Sequence, residues 1–102
     1  MSVSYELEIR LDPSIREAYL DWLPGHVEEV LKSPGFESAE IFEDDEEVFH
    51  VRYRVRSEDL LESYFVNRAP ALRAETERLF GGRFETRRRV LECRVRYGAI
   101  SG

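Results

Sequence analysis

Residues 3–11 read VSYELEIRL, and the two kinds of side chain alternate along them without a fault. Val3, Tyr5, Leu7, Ile9 and Leu11 point one way, and Ser4, Glu6, Glu8 and Arg10 the other. A period of two with one apolar side is a strand lying on a core. Asp12-Pro13 follows at once, an N-cap residue and the residue that tolerates the first helical position. The apolar period then changes from two to the helical 3.6 through Ile15, Ala18, Tyr19, Trp22, Leu23, Val27, Val30 and Leu31. Pro24-Gly25 interrupts this stripe without shifting its phase, which predicts a kink or a brief unwinding with the same face buried throughout. Ser33-Pro34-Gly35 ends the helix.

Beyond that stop the reading is strand, turn and strand: about Phe36 to Glu43, Asp44-Asp45, then Glu47 to Arg56. In the second of these, Phe49, Val51, Tyr53 and Val55 alternate with His50, Arg52, Arg54 and Arg56. Ser57 caps a helix whose first turn carries Glu58 and Asp59, where negative charge is favoured. Ala69-Pro70 divides it into pieces over about 58–68 and 70–80, because the residue before proline resists the helical region. Gly81-Gly82 closes the second piece. A last strand over 83–97 is far longer than the usual strand of about 5–6 residues. Its phase also slips. Phe84, Thr86 and Val90 share one side, whereas Leu91, Cys93, Val95 and Tyr97 share the other. Either a bulge near Val90 re-aims the side chains or the two ends pack on different surfaces.

The order β-α-β-β-α-β predicts a ferredoxin-like α+β sandwich, an antiparallel four-stranded sheet with its helices on one face. The first and third strands take the centre and the fourth lies beside the first. The domain spans residues 1–97, with 98–102 as a flexible tail. The face without helices then carries Glu6 and Glu8 between two basic rows. One row is His50, Arg52, Arg54 and Arg56. The other, if Leu91 to Tyr97 face the helices, is Arg94 and Arg96 beside Glu92. Such a face is either a solvated surface tied by cross-strand ion pairs or a contact with a second copy. The overlong strand favours the second copy, since a long exposed edge is a liability until it is paired.

Composition narrows the function further. Of 102 residues, 42% are hydrophobic and 35% charged, enough for one core and a solvated surface. A net charge of −6 argues against nucleic-acid or anionic-membrane binding. An RNA platform would need aromatics on the open face, and Tyr5, Phe49 and Tyr53 fall in the core phase. No apolar run approaches the roughly 18 residues of a membrane span. The N-terminus enters a strand directly, without a secretory signal. Cys93 is the single cysteine, so the expected compartment is the reducing cytoplasm. All the basic residues but Lys32 are arginine, the better partner for planar, bidentate ion pairs.

Candidate chemistry is sparse. His26, one helical turn after Trp22, is a candidate general base or ligand contact at the mouth of a pocket between helix and sheet. Its plain alternative is a helix-surface histidine bonded to a carbonyl that Pro24 frees. His50 has Glu46 and Glu47 nearby, but no metal-ligand spacing exists, so neither metal nor cofactor is expected. Cys93 reads as a core residue. Arg87-Arg88-Arg89 is split by the strand period across both faces. Phosphate-cradling glycine motifs and nucleophile elbows are lacking.

The stretch SEDLLESYFVNRAPALRAETERLFGGRFETRRRVLE resembles a small bacterial single-domain family of unknown function. The shared pattern is Ala69-Pro70, Leu72-Arg73, Phe80-Gly81-Gly82, Phe84 and Arg88. The first half is similar more loosely through Trp22, His26, Val30, Leu31 and Phe36. HVEEVLKSPGFESAEIF is also similar to dimeric α/β-barrel proteins, in which a histidine-bearing helix leads to a Pro-Gly-Phe turn. These resemblances imply a ferredoxin-like fold and, more distantly, cofactor-free monooxygenases or heme-degrading enzymes. Fold-level analogy alone does not establish a function.

The first reading is therefore a cytoplasmic homodimer of unknown function, a small-molecule binding or regulatory module, with Trp22, His26, Tyr53 and Arg88 as candidate contacts for a small anionic or aromatic ligand. The second is a dimeric α/β-barrel enzyme of the cofactor-independent monooxygenase kind using the same pocket. The third is an interaction module using the charged face of Glu6, Glu8, His50, Arg52, Arg54, Arg94 and Arg96. Whether the chain is an enzyme stays open at this level.

Overall fold

A computed structural model describes residues 1–99 of the chain. The elements are β1 (Val3–Leu11), α1 (Arg16–Leu31), β2 (Phe36–Asp45), β3 (Val48–Val55), α2 (Glu58–Asn67), α3 (Ala69–Phe80) and β4 (Phe84–Glu92). The four strands form one sheet in the order β2-β3-β1-β4, and every neighbouring pair is antiparallel. This is the ferredoxin-like α+β sandwich with β1 and β3 central.

The local chemistry behind these elements is direct. The Asp12 carboxylate accepts the Ser14 N–H at 2.9 Å and opens a short 3-10 turn, Pro13–Ile15, that leads into α1. α1 then runs unbroken through Pro24. Of the kink or brief unwinding expected there, the unwinding does not occur, and the same face, Tyr19 and Leu23 before Pro24 and Val27 and Val30 after it, stays buried. Pro24 and Gly25 are both exposed, and open space surrounds the position a Cβ would take on Gly25. The Ser57 hydroxyl accepts the Leu60 N–H at 3.2 Å and caps α2. α2 and α3 meet at Arg68, one residue earlier than Ala69-Pro70 suggests, and Pro70 falls in the first turn of α3, where its missing N–H costs nothing.

Arg68 ties the three helices together. One of its guanidinium nitrogens donates to the Glu29 carbonyl at 2.9 Å and to the buried Ser33 hydroxyl at 2.7 Å. It thus pins the C-terminal end of α1, whose Glu29 carbonyl also accepts the Lys32 N–H at 3.2 Å, to the α2–α3 junction.

The core lies between the sheet and the helices. Val3, Tyr5, Ile9 and Leu11 of β1 meet Phe49, Val51, Tyr53 and Val55 of β3, and Tyr19, Leu23, Val27 and Val30 of α1 close over them. From the α2–α3 pair, Leu61, Tyr64, Ala69 and Phe80 join the same cluster.

The last strand departs from expectation. β4 stops at Glu92 because its partner β1 begins at Val3, which faces Glu92. One further bond, from the Cys93 N–H to the Ser2 carbonyl at 2.9 Å, is made past that point. Register along β4 is unbroken, so no bulge re-aims Val90. Val90 stands beside Tyr5 on the helix side and Leu91 beside Ser4 on the open side. The expected assignment of Leu91 to the helix side, and of Glu92 to the open side, is thereby reversed. Arg94 and Arg96 lie beyond the sheet, and the second basic row on the open face is Arg87 and Arg89 instead. The turn between β2 and β3 is at Glu46-Glu47 rather than Asp44-Asp45. Of the expected tail 98–102, residues 100–102 lie outside the described residues.

Gly35 occupies the tight passage from α1 to β2. Its φ is +85°, and a Cβ there would stand 2.5 Å from Leu60 Cδ1 and 2.9 Å from Leu60 Cβ. Positive φ and a close approach both demand glycine. Gly35→Ala is expected to lower stability by about 1–3 kcal/mol, read as a shifted denaturant midpoint at constant slope. An unchanged midpoint would show that this passage is not under the stated constraint.

Candidate functional site

Two surfaces of the sheet carry the candidate residues, and the pleat of β1 separates them. On the open side, the Glu6 carboxylate accepts from Arg52 Nε at 2.9 Å, from Arg89 at 2.9 Å and from the Ser4 hydroxyl at 3.0 Å. Its side chain is only 15% exposed. Burial raises its carboxyl, but the hydrogen bonds of Arg89 and Ser4 and the charges of Arg52 and Arg89 outweigh this and hold it below the usual carboxylate range. Glu8 faces His50 on one side and Arg87 on the other. His50 Nε2 lies 3.1 Å from Asp44, not beside Glu46 or Glu47. Arg52 covers the ring of Phe42 at 5.3 Å. Arg54 and Arg96 border a shallow depression of about 220 Å³ with Arg52. The Arg54 Nε there is buried without a hydrogen-bond partner among the described residues. Arg94 joins none of these groups. Phe42 and Leu91 are the apolar side chains left exposed on this face, at 40% and 44%.

On the helix side, a cavity of about 340 Å³ opens between the sheet, α1 and α3. His26, Tyr53 and Arg88 all line it. Trp22 does not line it but supports His26 from behind, the two rings stacked with centroids 4.4 Å apart and planes 23° from parallel. Burial pulls the His26 imidazole below its ordinary value, and the opposing charge of Glu75 reduces that shift. His26 is thus held neutral near pH 7.

The cavity has features that the sequence reading did not foresee. Tyr5, Tyr19 and Tyr64 border it together with Tyr53. Tyr5 and Tyr53 stack at 5.9 Å, and Phe65 meets Tyr5 edge-on at 5.2 Å. Among the described residues, none of the four tyrosine hydroxyls has a hydrogen-bond partner in the protein. Burial pushes the Tyr19 and Tyr64 phenols up to about 12, in each case against the charge of Arg88, and raises Tyr53 further still. All three are protonated donors at neutral pH. Thr76, Glu77 and Arg73 of α3 complete the rim, with Thr86 on β4. The available signal was tyrosine, not phenylalanine, at buried positions of the alternation, and an arginine in phase with Phe84 and Thr86.

Among the described residues, no three His, Cys, Asp or Glu side chains stand together in a way that could hold a metal ion. No described helix is long and apolar enough to cross a membrane.

The chain matches, over residues 2–93, a family described as a domain of unknown function, DUF4286, and belongs to it. No curated protein matches it by sequence. Solved structures share its fold. SnoaB, a cofactor-independent oxygenase from Streptomyces nogalater, is 11% identical with a TM-score of 0.70, over 93% of this chain and 95% of that one. Rv0793 from Mycobacterium tuberculosis is 18% identical with a TM-score of 0.72, over 96% and 100%. An antibiotic biosynthesis monooxygenase is 12% identical with a TM-score of 0.71, over 89% and 97%. At these identities the likeness is one of fold.

Because burial lowers His26, the unfolded chain takes up its proton first as pH falls. Stability attributable to this residue is expected to decline from pH 6.5, its ordinary value, down to its folded-state value and to level off below that. Denaturation of wild type and His26→Gln across pH 4–8 reads this directly. The stability difference between them should change only below about pH 6.5, to the detriment of wild type. A difference that is flat with pH would show that His26 titrates freely.

Proposed function

We propose that this chain is a cytoplasmic homodimeric protein that binds a small aromatic or anionic molecule in the cavity between its sheet and its helices. The observation that carries the reading is the cavity itself: about 340 Å³ of space bordered by four tyrosines whose hydroxyls have no protein partner among the described residues. The four rings are buried, but among the described residues none of their hydroxyls is sealed from solvent without a partner, so each is free to donate to an occupant of the cavity. The volume falls in the ordinary range for small-molecule sites, roughly 300–1,000 Å³. Tyr53 offers a donor at the floor, Arg88 a charge at the rim, and Trp22 fixes the ring of His26.

The open face is the proposed contact between copies. Its inner charges are already paired around Glu6, so bringing two such faces together need not strand them. Phe42 and Leu91 supply exposed apolar area on the same face. Cys93, a free thiol, suits a reducing compartment.

A second reading is supported by His26. A neutral imidazole at the edge of the pocket can accept a proton from a bound ligand, as an enzyme with this fold and no cofactor would require. The likeness to SnoaB supports this reading at the level of fold.

Calorimetry with 2-naphthol, a small aromatic alcohol, tests the cavity. Thr86→Trp places a bulky ring in the void and is expected to weaken binding at least about tenfold, or roughly 1.4 kcal/mol. Equal affinity in wild type and variant would refute the site. Native mass spectrometry tests the assembly: wild type is expected as a dimer, and the double variant Phe42→Glu, Leu91→Glu as a monomer. A monomeric wild type at high micromolar concentration would refute the contact.

A further inference from the structure

We infer that the cavity selects a singly charged aromatic carboxylate, with the Arg88 guanidinium as the group that recognises the acid. This rests on the binding role proposed above and names the class of ligand.

The position of Arg88 is the first argument. Its neighbours Arg87 and Arg89 face the open side, opposite Glu8 and Glu6. Arg88 points the other way, opposite Leu7, toward the core side of the sheet. Its cross-strand partner is apolar, and among the described residues it forms no ion pair. Arg88 is exposed on the edge strand, so solvent carries its charge while the cavity holds no ligand, and its guanidinium is free to pair with an anion that enters.

Charge counting at the rim is the second. Arg73 and Arg88 bring two positive charges to the cavity and Glu77 one negative charge, with His26 neutral. One positive charge is left over. A monoanion cancels it. A dianion such as a phosphate monoester would exceed it and would also be repelled by Glu77. Arg73 is engaged on the ring of Phe65 at 5.8 Å, which leaves Arg88 as the free fork. That planar fork matches the two oxygens of a carboxylate.

The body of the ligand follows from the walls. Tyr5 and Tyr53 stack on each other in the cavity wall, and Leu7, Leu23 and Leu72 line the rest of it. Walls this rich in aromatic and aliphatic carbon favour an aromatic body over a polar one. The phenolic O–H groups can donate to the acceptor oxygens of the acid, and the charge of Arg88 repels an ammonium group.

The test is calorimetry of 2-naphthoate against its neutral isostere 2-naphthamide, with wild type, Arg88→Gln and Arg88→Lys. Wild type is expected to prefer the acid by at least about tenfold. Arg88→Gln should bind both within about twofold of each other and keep the amide affinity of wild type, whereas Arg88→Lys, with charge but no fork, should keep part of the preference. If wild type binds the two equally, or the preference survives in Arg88→Gln, the acid-selecting role is wrong and the cavity reading stands. If neither compound binds, both fall. Because Arg88→Lys preserves charge and length, its retained partial preference also distinguishes recognition by Arg88 from a mere loss of folding in Arg88→Gln.

Discussion

The whole architecture depends on the pleat of β1. This strand is paired along its length on both sides, to β3 and to β4. Each of its residues therefore fixes the side on which two neighbours must stand. Tyr5, Leu7 and Ile9 commit Val51, Tyr53, Thr86 and Arg88 to the helix side. Glu6 and Glu8 commit His50, Arg52, Arg87 and Arg89 to the open side. A slip of one residue would move Glu6 into the core and Tyr5 into solvent, so the register has no near competitor.

Glu6 adds a second lock on the same strand. Its carboxylate sits between arginines from both neighbouring strands, and its low exposure makes these contacts stronger than ordinary surface pairs. The open face is thereby electrically settled within one chain, although it is crowded with charge. The helix side shows the opposite situation. Its polar groups, the tyrosine hydroxyls and Arg88, have no protein partners among the described residues and border the cavity. One strand thus carries a closed account of charge on one face and an open set of donors on the other, and the proposed binding site lies on the second.

The layout of elements was legible from local rules. Alternation in residues 3–11 and 48–55, the caps Asp12 and Ser57, and the stops at Gly35 and Gly81-Gly82 each depend on neighbours a few positions away. Pro24-Gly25 was misleading because propensity speaks only of an isolated helix. In the folded chain both residues face outward, and the buried stripe of Tyr19, Leu23, Val27 and Val30 holds α1 together across them. The last strand was misleading for the reverse reason. Cys93 to Tyr97 have the pattern of a strand, but a strand exists only where it has a partner, and β1 supplies none beyond Val3.

The sequence by itself determined the ferredoxin-like order of elements, the composition of the two sheet faces and the candidacy of His26, Tyr53 and Arg88. These follow from periodicity and from side-chain chemistry, which are local. Tertiary structure alone decided that those three residues border one cavity, that Tyr5, Tyr19 and Tyr64 join them, and that Arg89 and Arg87, not Arg94 and Arg96, stand beside Glu6 and Glu8. Each of these depends on where strands end and in what register they pair, a property of two chain segments at once that neither segment encodes alone.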